Sequence, residues 1–375
     1  MPFGCTFALL FHQPDNVMQI RILALICFFQ FFVACQQDNG KLRLSEANLG
    51  TSSVAASEQG KETNSPVAAD IVFQSSDGGL TWQDVSAGLP KELGIGCIFA
   101  AGGKIFLGSE SGLYHTRTGA ATPVWENEFF LDKRITDIFP GSTGLYTSSY
   151  GRGFYKEIQG SNIWIPMHHN LPDNTVLTVL ETTDGMLFVG CESGIFKSAN
   201  DGKTWKQVYD KGQVVSLVVS DGVMVGGGSN GLLRSTDGGE NWLSVVTEDG
   251  SFRKTGIMQG GFFAISNGKQ VIGDPKSRAN RMRTSTDGGK TWQRIDDHLS
   301  ALRYIYGKDK QLSSVQFIND AEQTDGNLFC SLDAGVYRSS DQGKTWTLVL
   351  PASRKMSFNL AISGKMIYAV IAGGC

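Results

Sequence analysis

Seven four-stranded antiparallel sheets closed into a ring, an all-β seven-bladed β-propeller, is the fold this sequence predicts. Three observations carry it: an octet present in five copies, seven tryptophans set about one repeat apart, and a last repeat divided between the two ends of the chain.

Residues 285–292 read Ser-Thr-Asp-Gly-Gly-Lys-Thr-Trp, and close copies occupy residues 75–82, 198–205, 235–242 and 339–346. The third position is Asp77, Asn200, Asp237, Asp287 or Asp341, and the eighth is Trp82, Trp205, Trp242, Trp292 or Trp346. An Asp or Asn side chain accepts hydrogen bonds from backbone N–H groups one or two residues on, which stabilises a tight turn. The following Gly takes the positive φ that a side chain resists. Thr re-enters extended structure, where a β-branched residue is at ease, and Trp buries a large apolar surface against a neighbour. The octet is thus a hairpin turn with an anchor, which places its aspartates at the rim and its tryptophans between blades.

The seven tryptophans are Trp82, Trp125, Trp164, Trp205, Trp242, Trp292 and Trp346, with successive spacings of 43, 39, 41, 37, 50 and 54 residues. A period near 40 to 50 with four short strands per unit is the spacing of a propeller blade. Trp125 and Trp164 lack an intact octet, yet the strand pairs ahead of them copy those ahead of the others, so they mark worn blades. After Trp346 there remain 29 residues, which supply two strands and stop. The missing third strand and octet stand at residues 71–82, so the seventh blade is assembled from both termini and the ring has no open sheet edge. Within a blade the expected order is an inner strand such as residues 176–180, then 187–189, then 194–197, the octet, and an outer strand from Thr204.

The octet and its period resemble the Asp-box, or bacterial neuraminidase repeat, family of β-propellers, and the chain is similar to that family's single-domain seven-bladed type. The family includes sialidases, xyloglucan-degrading hydrolases, sortilin-type receptors and photosystem II assembly factors, so the resemblance implies fold more strongly than activity.

The chain before the propeller reads as targeting sequence. Residues 22–34 are an apolar run that follows Arg21 and ends at Cys35, the order of a signal peptide. Cys35 after Phe32, Val33 and Ala34 resembles a bacterial lipobox, with Phe32 where Leu is usual, and the resemblance implies acylation of Cys35. Met18 is a candidate start, because residues 1–17 add nothing a signal needs. The alternatives are a signal peptide cleaved without lipidation and a transmembrane anchor, for which the run is shorter than the ~20 residues of a span. The organisation expected is a signal peptide over 1–34, a flexible tether over 35–69 whose polar composition cannot build a core, and the propeller over 70–375.

With 46 Gly among 375 residues, 18% charged residues and a net charge of -3, the composition suits many short strands and tight turns. It lacks the basic excess of a nucleic-acid binder. The working surface expected is the channel face, where Arg134, Arg152, Arg253, Arg278, Arg281, Arg303 and Arg354 form a candidate cationic ring, with Lys254 and Lys355 beside them. The plainer reading is scattered surface charge neutralised by neighbours such as Asp137 and Asp274.

The family's sialidases use arginines, a Tyr–Glu pair and an Asp acid/base on six blades, with a F-R-I-P-like motif ahead of the first box. Here only Arg43, between Leu42 and Leu44, precedes it, and the nucleophile candidates Tyr304 and Tyr306 have no assignable glutamate. A xyloglucanase-like reading sets two propellers face to face, whereas one is predicted here. Its carboxylates would come from Asp137, Asp274, Asp320 or Asp333. His168 and His169 are adjacent, and a solvated loop with the rings pointing apart accounts for them. Cys97, Cys191, Cys330 and Cys375 lack a Cys-x-x-Cys spacing and read as reduced structural cysteines. No metal and no cofactor is expected. The functional expectation is a non-catalytic, lipid-anchored cell-envelope scaffold for a protein or glycan ligand, without nucleic acid, and the alternative is a glycan-active or glycan-binding surface protein.

Overall fold

The computed structural model describes residues 70–372 apart from 92, 129–133, 150, 160, 162, 269–278, 300–303, 307–311 and 353–355. The signal peptide, Cys35 and the tether lie outside the described residues, as does Cys375.

Seven four-stranded antiparallel sheets form the ring. Blade one comprises Ile95–Ala101, Lys104–Ser109, Gly112–Arg117 and Glu126–Glu128, and blade two Asp137–Pro140, Leu145–Ser149, Gly153–Ile158 and Ile163–Pro166. Blade three is Val176–Glu181, Leu187–Cys191, Gly194–Ser198 and Lys206–Tyr209, and blade four Val214–Ser220, Val223–Gly228, Gly231–Ser235 and Leu243–Val246. Blade five is Phe252–Met258, Gly261–Ser266, Met282–Ser285 and Gln293–Arg294, and blade six Asp320–Thr324, Asn327–Leu332, Gly335–Ser339 and Thr347–Pro351. Blade seven takes Phe358–Ser363 and Met366–Ile371 from the end of the chain and Val72–Ser75 and Gln83–Asp84 from its beginning. Its register pairs Val72 with Val370 and Ser75 with Ile367. The inner strand of each blade touches its counterparts in the blades on either side, all the way round. Blades one and two, which lack the octet, are complete four-stranded sheets.

Two insertions explain the long tryptophan spacings. Blade five carries an extended connection between Gly261–Ser266 and Met282–Ser285, which lengthens the step to Trp292. Before blade six the chain adds a short 3-10 helix, Asp296–Leu299, and a two-stranded ribbon, Tyr304–Tyr306 with Leu312–Val315.

The octets share one turn, with the Trp Nε1 bond made in four of the five copies and absent at Trp205. Asp287 Oδ1 accepts the Ser285 hydroxyl at 2.8 Å and the backbone N–H groups of Lys290 and Thr291, each at 3.0 Å. The Thr291 hydroxyl donates to Oδ2 at 2.6 Å. The N–H groups captured are therefore three and four residues on, farther than the one or two expected, because the Ser hydroxyl already holds Gly289 N–H at 2.9 Å and the loop is wider than a simple Asx turn. Trp292 Nε1 then donates to the Gly289 carbonyl at 3.1 Å, which fixes the ring.

Each tryptophan lies against the preceding blade. Trp205 meets Phe154 of blade two edge to face with ring centroids 6.1 Å apart. Trp82 packs with Phe329, Trp242 with Phe188 and Trp346 with Phe263 in the interblade cores. The worn copies keep this role. Trp125 joins the core containing Tyr368 of blade seven and donates to the Val85 carbonyl at 2.9 Å, and Trp164 packs on blade one.

Candidate functional site

Inner strands in a propeller begin at one face, so their first residues converge on the channel mouth. In blades one, three, four and five that strand opens with a β-bulge, between Ile95 and Cys97, Val176 and Thr178, Val214 and Ser216, and Phe252 and Lys254. A bulge supplies an extra residue and re-aims the side chains around it. Arg253 is the extra residue of blade five, and Lys254 resumes the ladder. In blades two and six the ladder opens at Asp137 and Asp320. Cys97, Thr178, Ser216, Arg253 and Lys254 just past these bulges, with Asp137 and Asp320, line a cavity of about 400 Å³ to which all seven blades contribute.

The wall of the cavity is polar and largely hydrogen-bonded to itself. Lys254 Nζ contacts Asp320 Oδ1 and donates to Glu322 Oε1 at 3.0 Å. Burial alone would depress the Lys254 ammonium, but the charges of Asp320 and Glu322 outweigh it and raise its pKa. Asp320 also accepts N–H from Ala321 and from Leu360 of blade seven, both at 2.8 Å, so it ties blades five, six and seven together. Beside it a chain of donors runs round the rim. Arg253 Nη2 donates to Asn319, whose amide donates to Phe358 O at 2.7 Å and Asn359 Oδ1 at 3.0 Å, and Asn359 donates to Gly96 O of blade one at 3.3 Å. The hydroxyls of Ser216 and Thr255 are 2.8 Å apart and join blades four and five.

Asp137 differs from the other two carboxylates. Its Oδ1 accepts the Ile138 N–H at 2.8 Å, and no cation lies within ion-pair distance among the described residues. Part of its surface faces the channel space, yet the surrounding wall desolvates it. Burial lifts its carboxyl to about 6 and Asp320 adds to the rise, while the Ile138 N–H and Lys254 oppose it. The same burial, with Asp137 nearby, pushes the Cys97 thiol well up and makes it an inert wall residue. Glu322 is also raised by burial, with Lys254 opposing.

Of the seven candidate arginines, Arg253 is the described one that lines the cavity. Arg134 is exposed just before the inner strand of blade two, with φ of 80°. Arg152 is exposed in the turn between the second and third strands of that blade. Arg281 pairs with the buried Asp296 at 3.2 Å. Arg278, Arg303 and Arg354 lie outside the described residues, as do Asp274 and Lys355. Asp333 is half-buried in a turn of blade six. The residue that sequence reasoning missed is Glu322. Its signal was the Asp320-Ala321-Glu322 alternation, because residues two apart on a strand share a face.

The histidine pair departs from expectation. His168 and His169 stack with centroids 5.5 Å apart, and His168 also packs edge to face on Tyr155. The bare Cα of Gly153 leaves room for the His168 ring, since a Cβ there would come within 2.4 Å of it. Cys97, Cys191 and Cys330 are buried and form no disulfide among the described residues. Among the described residues no group of three His, Cys, Asp or Glu is arranged to hold a metal, and no helix is long and apolar enough to cross a membrane.

Residues 283–294 match the model of the BNR/Asp-box repeat. A search of curated protein sequences finds no match. Among solved structures, the extracellular domain of the putative one component system BT4673 from B. thetaiotaomicron superposes with a TM-score of 0.54 at 14% identity, over 71% of this chain and 35% of that one. The chain therefore spans about a third of that protein. YCF48 bound to D1 peptide gives 0.52 at 16% identity, over 76% and 93%, and the WD40 β-propeller domain of Doa1 gives 0.51 at 10%, over 74% and 92%. These identities establish architecture alone. With five octet turns and seven closed blades, the chain is a seven-bladed β-propeller in which residues 283–294 match the BNR/Asp-box repeat.

Proposed function

We propose that the protein is a non-catalytic binding or assembly scaffold of the cell envelope, anchored through a lipid on Cys35, which engages its ligand at the channel face. The observation that carries this reading is the polar cavity of about 400 Å³ at the point where all seven blades meet. Its donors and acceptors are placed by backbone strands and by one another, an arrangement suited to recognition. The envelope setting matches that of the BT4673 propeller, an extracellular domain, and a channel-face ligand is in keeping with the peptide-bound state of YCF48. The candidate arginines other than Arg253 enter as rim contacts around that face.

A glycan-active reading draws on Asp137 and Asp320, two carboxylates in one cavity, with the Asp137 carboxyl near 6. Hydrolysis by a carboxylate pair needs one group as acid and a second free to act as base or nucleophile. Asp320 is committed to Lys254 and to two backbone N–H groups, and Glu322 to Lys254, which favours binding over hydrolysis.

An unbiased pull-down from native membranes, run beside a glycan array, tests the choice. The scaffold reading expects a protein partner whose capture drops at least tenfold with Arg253→Ala. Clear glycan binding with no protein enriched overturns it. Cys35→Ala is expected to release the protein from membranes, and unchanged fractionation removes the anchor.

A further inference from the structure

The cavity wall holds three carboxylates, Asp137, Asp320 and Glu322, against two cations, Arg253 and Lys254, a net charge of −1 with all of them ionised. The charges are unevenly matched. Lys254 lies between Asp320 and Glu322, with its ammonium also 5.9 Å from the centroid of the Phe263 ring. Arg253 is held to Asn319 at the rim. The remaining negative charge is on Asp137, whose carboxylate is backed by one N–H from its own strand and open to the cavity. A desolvated carboxylate with no cation in contact gains from one brought to it, because the desolvation cost is already met in the empty protein.

The wall also shows what kind of cation fits. Its own Lys254 is an ammonium solvated by two carboxylates and the face of an aromatic ring, three blades round the ring from Asp137. A divalent metal is a poor match, since Lys254 separates Asp320 from Glu322 and no metal-type cluster forms among the described residues. The volume admits an alkyl chain with a charged head, the size of a basic side chain or a small amine.

Resting on the scaffold reading of this face, we propose that the channel mouth is an ammonium-recognition site in which Asp137 receives a primary alkylammonium group. That group belongs either to a lysine side chain presented by a protein partner or to a free small amine. The groups facing Asp137 are Cys97 from blade one, Arg253 and Lys254 from blade five, and Asp320 and Glu322 from blade six. Of these, Asp137 and Glu322 have raised carboxyl pKa values, and protonation of either weakens the site for a cation.

The test is calorimetric titration of the purified protein with Nα-acetyl-lysine methylamide, its neutral isostere Nα-acetyl-norleucine methylamide, and butylammonium. The lysine derivative and butylammonium are expected to bind at pH 7.5 at least tenfold tighter than the norleucine derivative. Binding is expected to weaken about tenfold at pH 5, one unit below the Asp137 value of about 6. Asp137→Asn is expected to abolish the preference, and the pH series on the unaltered protein tests the same point without relying on that variant. Lysine binding without butylammonium binding assigns the site to a polypeptide, and equal binding assigns it to amines at large. Equal affinity for the charged and neutral probes, or affinity unchanged at pH 5, overturns the proposal. If the ammonium probes fail while Arg253→Ala still abolishes partner capture, the scaffold reading stands and the ammonium assignment falls.

Discussion

Position five of the octet is glycine in all five copies, whereas position four is Gly78, Asp201, Gly238, Gly288 or Gln342. All five position-four residues have positive φ, from 56° to 72°. Conformation alone therefore tolerates a side chain at position four. In two copies position five adds a steric demand: a Cβ on Gly79 would lie 2.6 Å from the ring of Phe329 and one on Gly239 2.4 Å from the ring of Phe188 in the preceding blade, whereas Gly238 has open space. Gly238→Ala is expected to cost about 1 kcal/mol through backbone strain, and Gly239→Ala about 3 kcal/mol, since the buried Phe188 must also shift. Urea denaturation midpoints check the difference, and equal costs refute the steric account. Asp137 makes a second residue-level prediction with the opposite sign to an ordinary paired aspartate. Its folded value of about 6 lies above the unfolded value near 4, so the penalty for ionising it is absent below pH 4 and complete above pH 6. Asp137→Asn is expected to stabilise by roughly 1 kcal/mol at pH 7.5, after allowance for channel water, and by nothing at pH 4. Thermal melts at both values decide it.

At the level of the turn, the box aspartates behave in the reverse way. The Asp77 and Asp237 carboxyls are held at about 2, chiefly by the hydroxyl of Thr81 and the amide of Asn241, and Asp287 and Asp341 are lowered by Thr291 and Thr345. Depressed carboxyls stabilise the fold above pH 4, and that contribution is lost as pH falls towards 2. Four such turns are expected to give a steep acid loss of melting temperature, and Asp287→Asn should make it shallower. The turn's anchor contributes more: Trp292→Ala is expected to cost about 3–5 kcal/mol, because it empties the seam between blades four and five. The octet was legible because its chemistry is local, a carboxylate or amide with donors within four residues. Trp125 and Trp164 were legible without it because what persists is their packing on the previous blade.

Over the whole molecule, the blade count and the closure through both termini could be read from spacing alone, since each repeat must bury the face of the one before it. The channel could not be read in the same way. Its wall is set by bulges that shift which residues face inward and by the insertion before blade six, which places Lys254 and Asp320 66 residues apart in sequence yet in contact. Arginines counted along the chain left a basic ring and scattered, neutralised charge both open, while among the described residues the cavity carries Arg253 and Lys254 against three carboxylates. Closure makes its own prediction. Deleting the last two strands leaves Val72–Ser75 paired only with Gln83–Asp84, and cooperative unfolding in urea should be replaced by a broad, early transition. A circular permutant with joined termini, reopened between blades three and four, should keep a single sharp transition.

The joint between the ends also governs how the protein bears load. Val72–Ser75 runs antiparallel between Met366–Ile371 on one side and Gln83–Asp84 on the other. A pull directed along that strand loads its ladder hydrogen bonds together, in shear, and not one at a time. A protein held from its N-terminal side would be gripped at the seam that also keeps the ring shut, and the force that detached it would first have to unmake the circle.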